Sequence, residues 1–259
     1  MIVSRQNQKI KDIRRLRRCK GDQAILEGPH LVGEALQAGV ALDTILATGE
    51  FLSSVAGLEL LANQGGSLIT EVAPHLMDYV CDADSPRGIL ATASLPRGGL
   101  DSIPLQATGL YLFVDGIQDP GNLGALVRVA EAFGVSAVVL APGSAHPNHS
   151  RSLRASAGSL LRVDVFTDVD AKALSDRLAP ADPQWLVLVP RMGEPVRSLG
   201  PQAGVVLVVG AEGPGVSEGV QELPHTPVMI PLGGHVESLN STVAAAIALY
   251  ELRRLDSDA

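Results

Sequence analysis

Three short stretches combine glycine with polar side chains that could handle a ligand: QDPGNLG at 118–124, GAEGPGVSE at 210–218 and PLGGHVESLN at 231–240. Each follows an apolar run that reads as a β-strand. Glycines there let backbone N–H and C=O groups approach a flat ligand closely. Asn122, Glu212 and Asn240 add hydrogen-bonding groups that a plain turn does not need. Arg128 stands six residues after Asn122 in DPGNLGALVR. A guanidinium keeps its proton at any ordinary pH and grips a phosphate bidentately, so the chemistry on offer is positioning and charge stabilisation. The plainer alternative is that Arg128 pairs with Glu131 on its own helix.

The glycines do not form a dinucleotide fingerprint. VDGIQDPGNLGALVR offers G-x-x-G only, with a longer gap between strand and helix than G-x-G-x-x-G requires, which disfavours a nicotinamide oxidoreductase. No G-x-x-x-x-G-K-[ST] occurs, so a P-loop is excluded. His146, His149 and His235 read as hydrogen-bonding or exposed loop residues. Cys19 and Cys81 lie far apart with no C-x-x-C spacing, which points to reduced thiols in a cytoplasmic protein and argues against structural zinc.

The elements that must carry these loops fall into two halves of an α/β chain of 259 residues. In the first, a strand, a turn at Gly28–Pro29 and a helix closed by Gly39 fill residues 24–39. Strands follow at 42–48, 66–72 and 88–95, with a short helix at 74–81. Residues 96–109 lose periodicity and collect Gly, Pro and Ser. The second half alternates apolar strands (110–115, 136–141, 162–166, 185–190, 204–210, 227–231) with helices near 122–134, 149–160, 170–178 and 240–254. Continuous apolar strands of this kind suit a buried parallel sheet, whose carboxyl-end loops meet at one edge and form the ligand site. The domains are read as 1–95, a linker at 96–106, and 107–259. The apolar residues Val243, Ile247, Leu249 and Tyr250 on the last helix fit either core or interface.

Charge is uneven. Residues 1–20 carry eight basic groups (Arg5, Lys9, Lys11, Arg14, Arg15, Arg17, Arg18, Lys20) against Asp12, in a chain of net charge −8. Such a block reads as a nucleic-acid contact or as a solvated helix face. One Trp, three Tyr and four Phe leave little for a base-stacking platform. No apolar run is long enough to span a bilayer, and the basic N-terminus lacks a signal-peptide core.

The three loops, in this order and spacing, resemble the three signature motifs of the SpoU (TrmH-like) family of RNA ribose 2′-O-methyltransferases. DPGNLGALVRVAEAFGV resembles the first, with its N-x-G-x-x-x-R core, VLVVGAEGPGVSE the second and VMIPLGGHVESLNSTVAAAIALYE the third. SRQNQKIKDIRRL and AILEGPHLVGEAL resemble the family's N-terminal RNA-binding extension. One departure is SLNSTV where the family reads S-L-N-V-S-V; Thr242 keeps a hydroxyl at the usual Ser. The resemblance implies a parallel-sheet domain with a trefoil knot after a small ribosomal-protein-like α/β domain, and a homodimer. It implies methyl transfer from S-adenosyl-methionine, without a metal, to RNA, in the first place 23S-type ribosomal RNA. The alternatives are a tRNA substrate or a non-catalytic RNA-binding protein. It further implies that Gly210, Ile230 and Leu239 grip the donor, with Glu212, Gly213 and Leu232 alongside. Arg128, oriented by Asn122, would clamp substrate phosphate and stabilise the developing alkoxide, and Asn240 and Thr242 would complete the polar pocket. Arg5, Lys9, Lys11, Arg14, Arg151 and Arg154 would meet RNA. On this view residues 1–95 capture RNA, while 107–259 bind the donor and perform transfer. Glu27 is left open between a structural and a functional role.

Overall fold

Asn7 starts the first helix, α1 (Gln8–Leu16), by accepting the Lys9 N–H at 3.0 Å, and the buried Ile10 and Ile13 fix which face turns inward. There follow β1 (Gln23–Glu27), α2 (Pro29–Gln37), β2 (Leu42–Ala47), α3 (Gly49–Leu52), α4 (Val55–Gln64), β3 (Ile69–Glu71), α5 (Pro74–Val80) and β4 (Ile89–Ser94). The strands form a sheet in the order β1–β4–β2–β3, with β4 antiparallel to both neighbours and β3 parallel to β2. Ile10 and Ile13 pack with Leu46, Leu76, Met77 and Leu90 in one core cluster. Burial of each such side chain contributes about 1.5–3 kcal/mol. The helices α3 and α4 fill a stretch to which the sequence reading assigned no element. The computed structural model describes residues 1–17, 21–64, 68–200, 204–234 and 236–257; Arg18, Cys19, Lys20 and His235 lie outside the described residues.

The chain continues through β5 (Leu110–Asp115), α6 (Pro120–Ala132), β6 (Ala137–Leu140), α7 (Ser150–Ala155), β7 (Val165–Phe166), α8 (Ala171–Leu178), β8 (Gln184–Leu188), β9 (Glu194–Pro195), β10 (Val205–Gly210), α9 (Glu218–Gln221), β11 (Thr226–Met229) and α10 (Ser241–Ser257). Seven of these are strands of one sheet, ordered β7–β6–β5–β10–β8–β11–β9 with every neighbouring pair parallel. All residues of β5 and β6 are buried, as expected of strands covered on both faces. Tyr111, Phe113, Val139, Leu174, Trp185 and Val208 share its core. Among the described residues no helix is long and apolar enough to cross a membrane.

The chain divides into two compact units, Met1–Pro96 with Asn148–Arg162, and Arg97–Pro147 with Val163–Ala259. Two features differ from the sequence reading. Residues 97–106 do not hang as a linker but belong to the second unit: Ile103 is fully buried, and the Tyr111 hydroxyl donates to Pro104 O (2.9 Å) and accepts from Gln106 N (3.0 Å). The expected helix at 149–160 shortens to α7 and a 3-10 turn at Ser159–Leu161, because Ala157 (φ 48°) and Gly158 (φ 98°) adopt left-handed backbone between them. This segment packs in the first unit. The Asn148 amide there donates to the carbonyls of Gly21, Asp22 and Leu95 at 3.0, 3.2 and 2.8 Å.

Glu27, at the end of β1, holds that segment in place and is structural. Its carboxylate, 7 % exposed, accepts from Asp82 N (2.7 Å), Ala83 N (3.0 Å) and the Arg154 guanidinium (2.8 Å). Burial pushes its pKa above the ordinary value, against the pull of Arg154. The neighbouring Cys81 thiol is pushed up to about 12, chiefly by burial, so it carries no thiolate near neutrality. Glu27→Ala orphans two backbone N–H groups and one guanidinium. It should lower unfolding stability by about 2 kcal/mol, read from the urea midpoint of the full chain. A loss below about 0.5 kcal/mol, the range of an ordinary surface substitution, contradicts this role.

Candidate functional site

The sheet order decides where ligand groups gather. β5 runs outward to β6 and β7 on one side, while β10 inserts between β5 and β8. All strands point the same way, so the loops leaving β5, β10 and β11 open at one edge, where the chain switches direction across the sheet. Asp115, the last residue of β5, is buried, and its carboxylate accepts the Ser217 N–H at 2.6 Å, tying the β10 loop to the β5 strand end.

Each loop has a local reason for its shape. Asp119 caps α6 by accepting the Asn122 N–H at 2.9 Å, with Pro120 at the first helical position, so Asn122 sits on the first turn. The β10 loop doubles back: Ala211 and Gly215 exchange backbone hydrogen bonds of 2.9 and 3.0 Å. Gly210 permits this, because a Cβ there would stand 2.5 Å from the Gly215 carbonyl carbon. Gly213 takes φ 90°, where other residues are strained. Asn240 caps α10, its side-chain oxygen accepting from Thr242 N (3.0 Å) and Val243 N (3.4 Å).

One carboxylate joins the three. Glu212 Oε1 accepts from Asn122 Nδ2 at 2.9 Å, Asn240 Nδ2 at 3.0 Å and the Ser241 hydroxyl at 3.5 Å. Asn240 Nδ2 also reaches Asn122 Oδ1 at 3.4 Å, and Thr242 Oγ1 donates to Asn122 O at 3.4 Å. Asn122, Glu212, Asn240 and Thr242, widely separated in sequence, thus form one polar cluster.

Beside it opens a cavity of about 610 Å³, within the range of small-molecule sites. Gly210, Glu212, Gly213, Ile230, Leu232 and Leu239 all line it. So do Leu188, Val189 and Pro190 after β8, which the sequence reading did not name, since nothing in sequence says that β8 neighbours β10. Glu237 and Ser238 were missed too, although they fall inside the third glycine-rich stretch. The wall mixes exposed backbone with aliphatic side chains, a surface for a flat apolar ring carrying edge hydrogen bonds. A pocket of about 180 Å³ lined by Gln118, Asp119 and Asn122 also has Ala211 and Glu212 in its wall.

Arg128 stands apart from this cluster. It is exposed, and among the described residues none pairs with it, Glu131 included. Asn122 does not orient it. Six residues at about 100° each put the two side chains about 120° apart around α6, and Asn122 is committed to Glu212 and Asn240. His149 is no part of the cavity; it caps α7, its Nδ1 accepting from Arg151 N at 3.1 Å.

The expected RNA-contacting residues lie in the first unit. Arg5 and Arg14 stack on Tyr79, 4.5 and 4.1 Å from the ring centre, and Lys9 Nζ donates to Thr70 Oγ1 at 3.0 Å. Lys11 and Arg151 are exposed, and Arg154 pairs with Glu27. On α10 the apolar residues divide: Leu249 is core, Ile247 is half-buried, and Val243 and Tyr250 are exposed.

Comparison with known proteins gives the same picture. Residues 109–250 match the model of the SpoU rRNA Methylase family, and residues 7–91 that of the MRM3-like substrate binding domain. The 23S rRNA (guanosine(2553)-2′-O)-methyltransferase RlmP of Bacillus subtilis (strain 168) is 31% identical over 261 residues, covering 97% of this chain and 98% of that protein. The 23S rRNA (uridine(2479)-2′-O)-methyltransferase of Streptomyces viridochromogenes is 27% identical over 245 residues, covering 93% and 85%. The crystal structure of AdoMet-bound rRNA methyltransferase from Sinorhizobium meliloti is similar with a TM-score of 0.83 at 25% identity, covering 98% of this chain and 97% of that one.

Because Gly210 allows the close approach of residue 215, Gly210→Ala should force the β10 loop open. The expected loss is about 1–3 kcal/mol by thermal unfolding, the range of overpacked sites. Unchanged stability would mean that the loop yields without cost.

Proposed function

Since the chain belongs to the SpoU rRNA methylase family, we propose that it transfers a methyl group from S-adenosyl-methionine to a ribose 2′-hydroxyl of 23S-type ribosomal RNA. The observation that carries this reading is the cluster on Glu212, which joins the three loops beside the cavity of about 610 Å³. The cavity suits the donor in size and in chemistry: backbone of Gly210 and Gly213 lies against the aliphatic Ile230, Leu232 and Leu239. These residues, with Glu212, hold the adenosine.

The bound donor supplies an activated sulfonium methyl, whose C–S bond breaks as the bond to the 2′-oxygen forms. The protein's task is alignment and charge management. Asn122, Asn240 and Thr242 fix the polar wall beside the reacting groups. Arg128 clamps an RNA phosphate bidentately and stabilises the developing alkoxide; it keeps its own proton, and the hydroxyl proton leaves to a phosphate oxygen or water. Its exposed position on α6 suits a partner arriving from solvent.

The first unit captures RNA, with Arg5, Lys9 and Lys11 on or beside α1 among its contacts. The C-terminal segment threads the family's trefoil knot, and the exposed Val243 and Tyr250 of α10 pack against a second copy in a homodimer. The enzyme works in the cytoplasm, where ribosomal RNA is found.

Calorimetry of the full chain with S-adenosyl-methionine tests the donor site directly: saturable one-site binding is expected, and its absence overturns the assignment. Arg128→Lys keeps the charge but loses the fork. It should reduce methyl transfer to ribosomal RNA about 100-fold with donor affinity intact, and full activity would rule out a bidentate clamp.

A further inference from the structure

The cavity of about 610 Å³ carries charge of one sign. Among its described lining residues the ionisable side chains are Glu212 and Glu237, and no Lys, Arg or His stands with them. The two carboxylates differ in what they already hold. Glu212 Oε1 accepts from Asn122, Asn240 and Ser241, so three donors answer its charge. Glu237 lies on the loop between β11 and α10, three residues before Asn240. It is exposed, and among the described residues nothing hydrogen-bonds to it or pairs with it. It does not cap α10 either, since Asn240 does that. One uncommitted negative charge is therefore left in a wall made otherwise of backbone, aliphatic side chains and small polar groups.

Methyl transfer changes the charge of what such a cavity holds. The donor is a sulfonium cation. Its C–S bond breaks with the electron pair left on sulfur, so the product is a neutral thioether. The methyl carbon joins the 2′-oxygen, whose proton leaves to a phosphate oxygen or water. Adenosine and the amino-acid tail are the same before and after. Backbone at Gly210 and Gly213 and the aliphatic Ile230, Leu232 and Leu239 therefore meet both molecules alike. A fixed charge does not, because Coulomb attraction acts on the cation without requiring direct contact.

We infer that Glu237 is a specificity-determining residue of this cavity: its carboxylate favours the cationic donor over the neutral thioether product. Spent product is then displaced by fresh donor more readily than shape alone would allow. The same charge disfavours adenosine compounds that carry phosphate, so the cavity selects a cationic adenosine derivative. This role rests on the methyl transfer proposed for the chain and adds to it the means by which donor and product are sorted.

Calorimetry of the full chain with S-adenosyl-methionine and, separately, with S-adenosyl-homocysteine tests this in the unaltered protein, Glu237→Gln and Glu237→Asp. With no partner to lose, both variants should fold as the original does. Glu237→Gln keeps the size of the side chain and removes its charge. At low salt it should weaken S-adenosyl-methionine binding about 5- to 10-fold and change S-adenosyl-homocysteine binding less than about twofold. Glu237→Asp keeps the charge and should hold the donor-to-product affinity ratio within about twofold of the original. Raising salt from about 0.05 M to about 0.5 M should bring the ratio of the unaltered protein toward that of Glu237→Gln, because counter-ions screen an exposed charge. Equal losses for both ligands in Glu237→Gln, or no loss for either, would overturn the inference and leave the proposed function standing. If the unaltered chain bound neither ligand, the proposed function would fall and the role of Glu237 with it.

Discussion

The site depends on one carboxylate. Glu212 lies on the loop after β10, yet its Oε1 accepts from Asn122 at the start of α6 and from Asn240 and Ser241 at the start of α10. Charge-assisted hydrogen bonds of this kind are roughly twice as strong as neutral ones, and removing the acceptor would take the Asn122 amide's partner away and leave the Asn240 amide only its 3.4 Å contact to Asn122. The two helix starts are therefore fixed against one loop, not merely near each other. Without that tie, the β10 loop would keep only the Asp115–Ser217 bond to the β5 end, and the two helix starts only their long 3.4 Å contacts to each other.

The tie works because the sheet brings its members within reach. Parallel strands place all their carboxyl ends on one edge, and insertion of β10 between β5 and β8 sets the second loop between the other two. Close approach then requires glycine. Gly210 lets the loop fold back on residue 215, which turns Glu212 into the cluster. Chemistry resides in loops, but strand order selects which loops meet. The first unit follows the same logic at smaller scale: a buried carboxylate, Glu27, positions an arginine whose outer face lines a concave surface.

Much of this was legible in the residues. The strand at 110–115, its buried parallel neighbours, and the small α/β sheet of the first half follow from continuous apolar runs punctuated by glycine and proline. The residues expected at the donor site line a single cavity, because glycine and polar residues cluster where backbone must meet a ligand. What was hidden is non-local. The Asn122–Arg128 spacing suggested a common target, but helical geometry separates them and Glu212 claims Asn122. Helix α7 looked like another crossover of the second half; the Asn148 amide and the Glu27–Arg154 pair bind it to the first sheet instead. Residues 97–106 read as a linker by composition, yet the buried Ile103, the Tyr111 hydroxyl, the Gly98–Phe166 bridge and the Arg177 bond to Ile103 O dock them. Pairings over such distances leave no local periodicity to read.

Glu212 holds three loops together and so orders the cavity that they line. Amide hydrogen exchange on the full-length Glu212→Ala protein tests it, paired with calorimetry of S-adenosyl-methionine binding. Faster exchange is expected in 119–123, 211–217 and 238–244 together, with unchanged protection in the strands of the sheet and S-adenosyl-methionine affinity reduced at least about tenfold, or about 1.4 kcal/mol. Unaltered exchange in all three segments with unaltered donor affinity would contradict it.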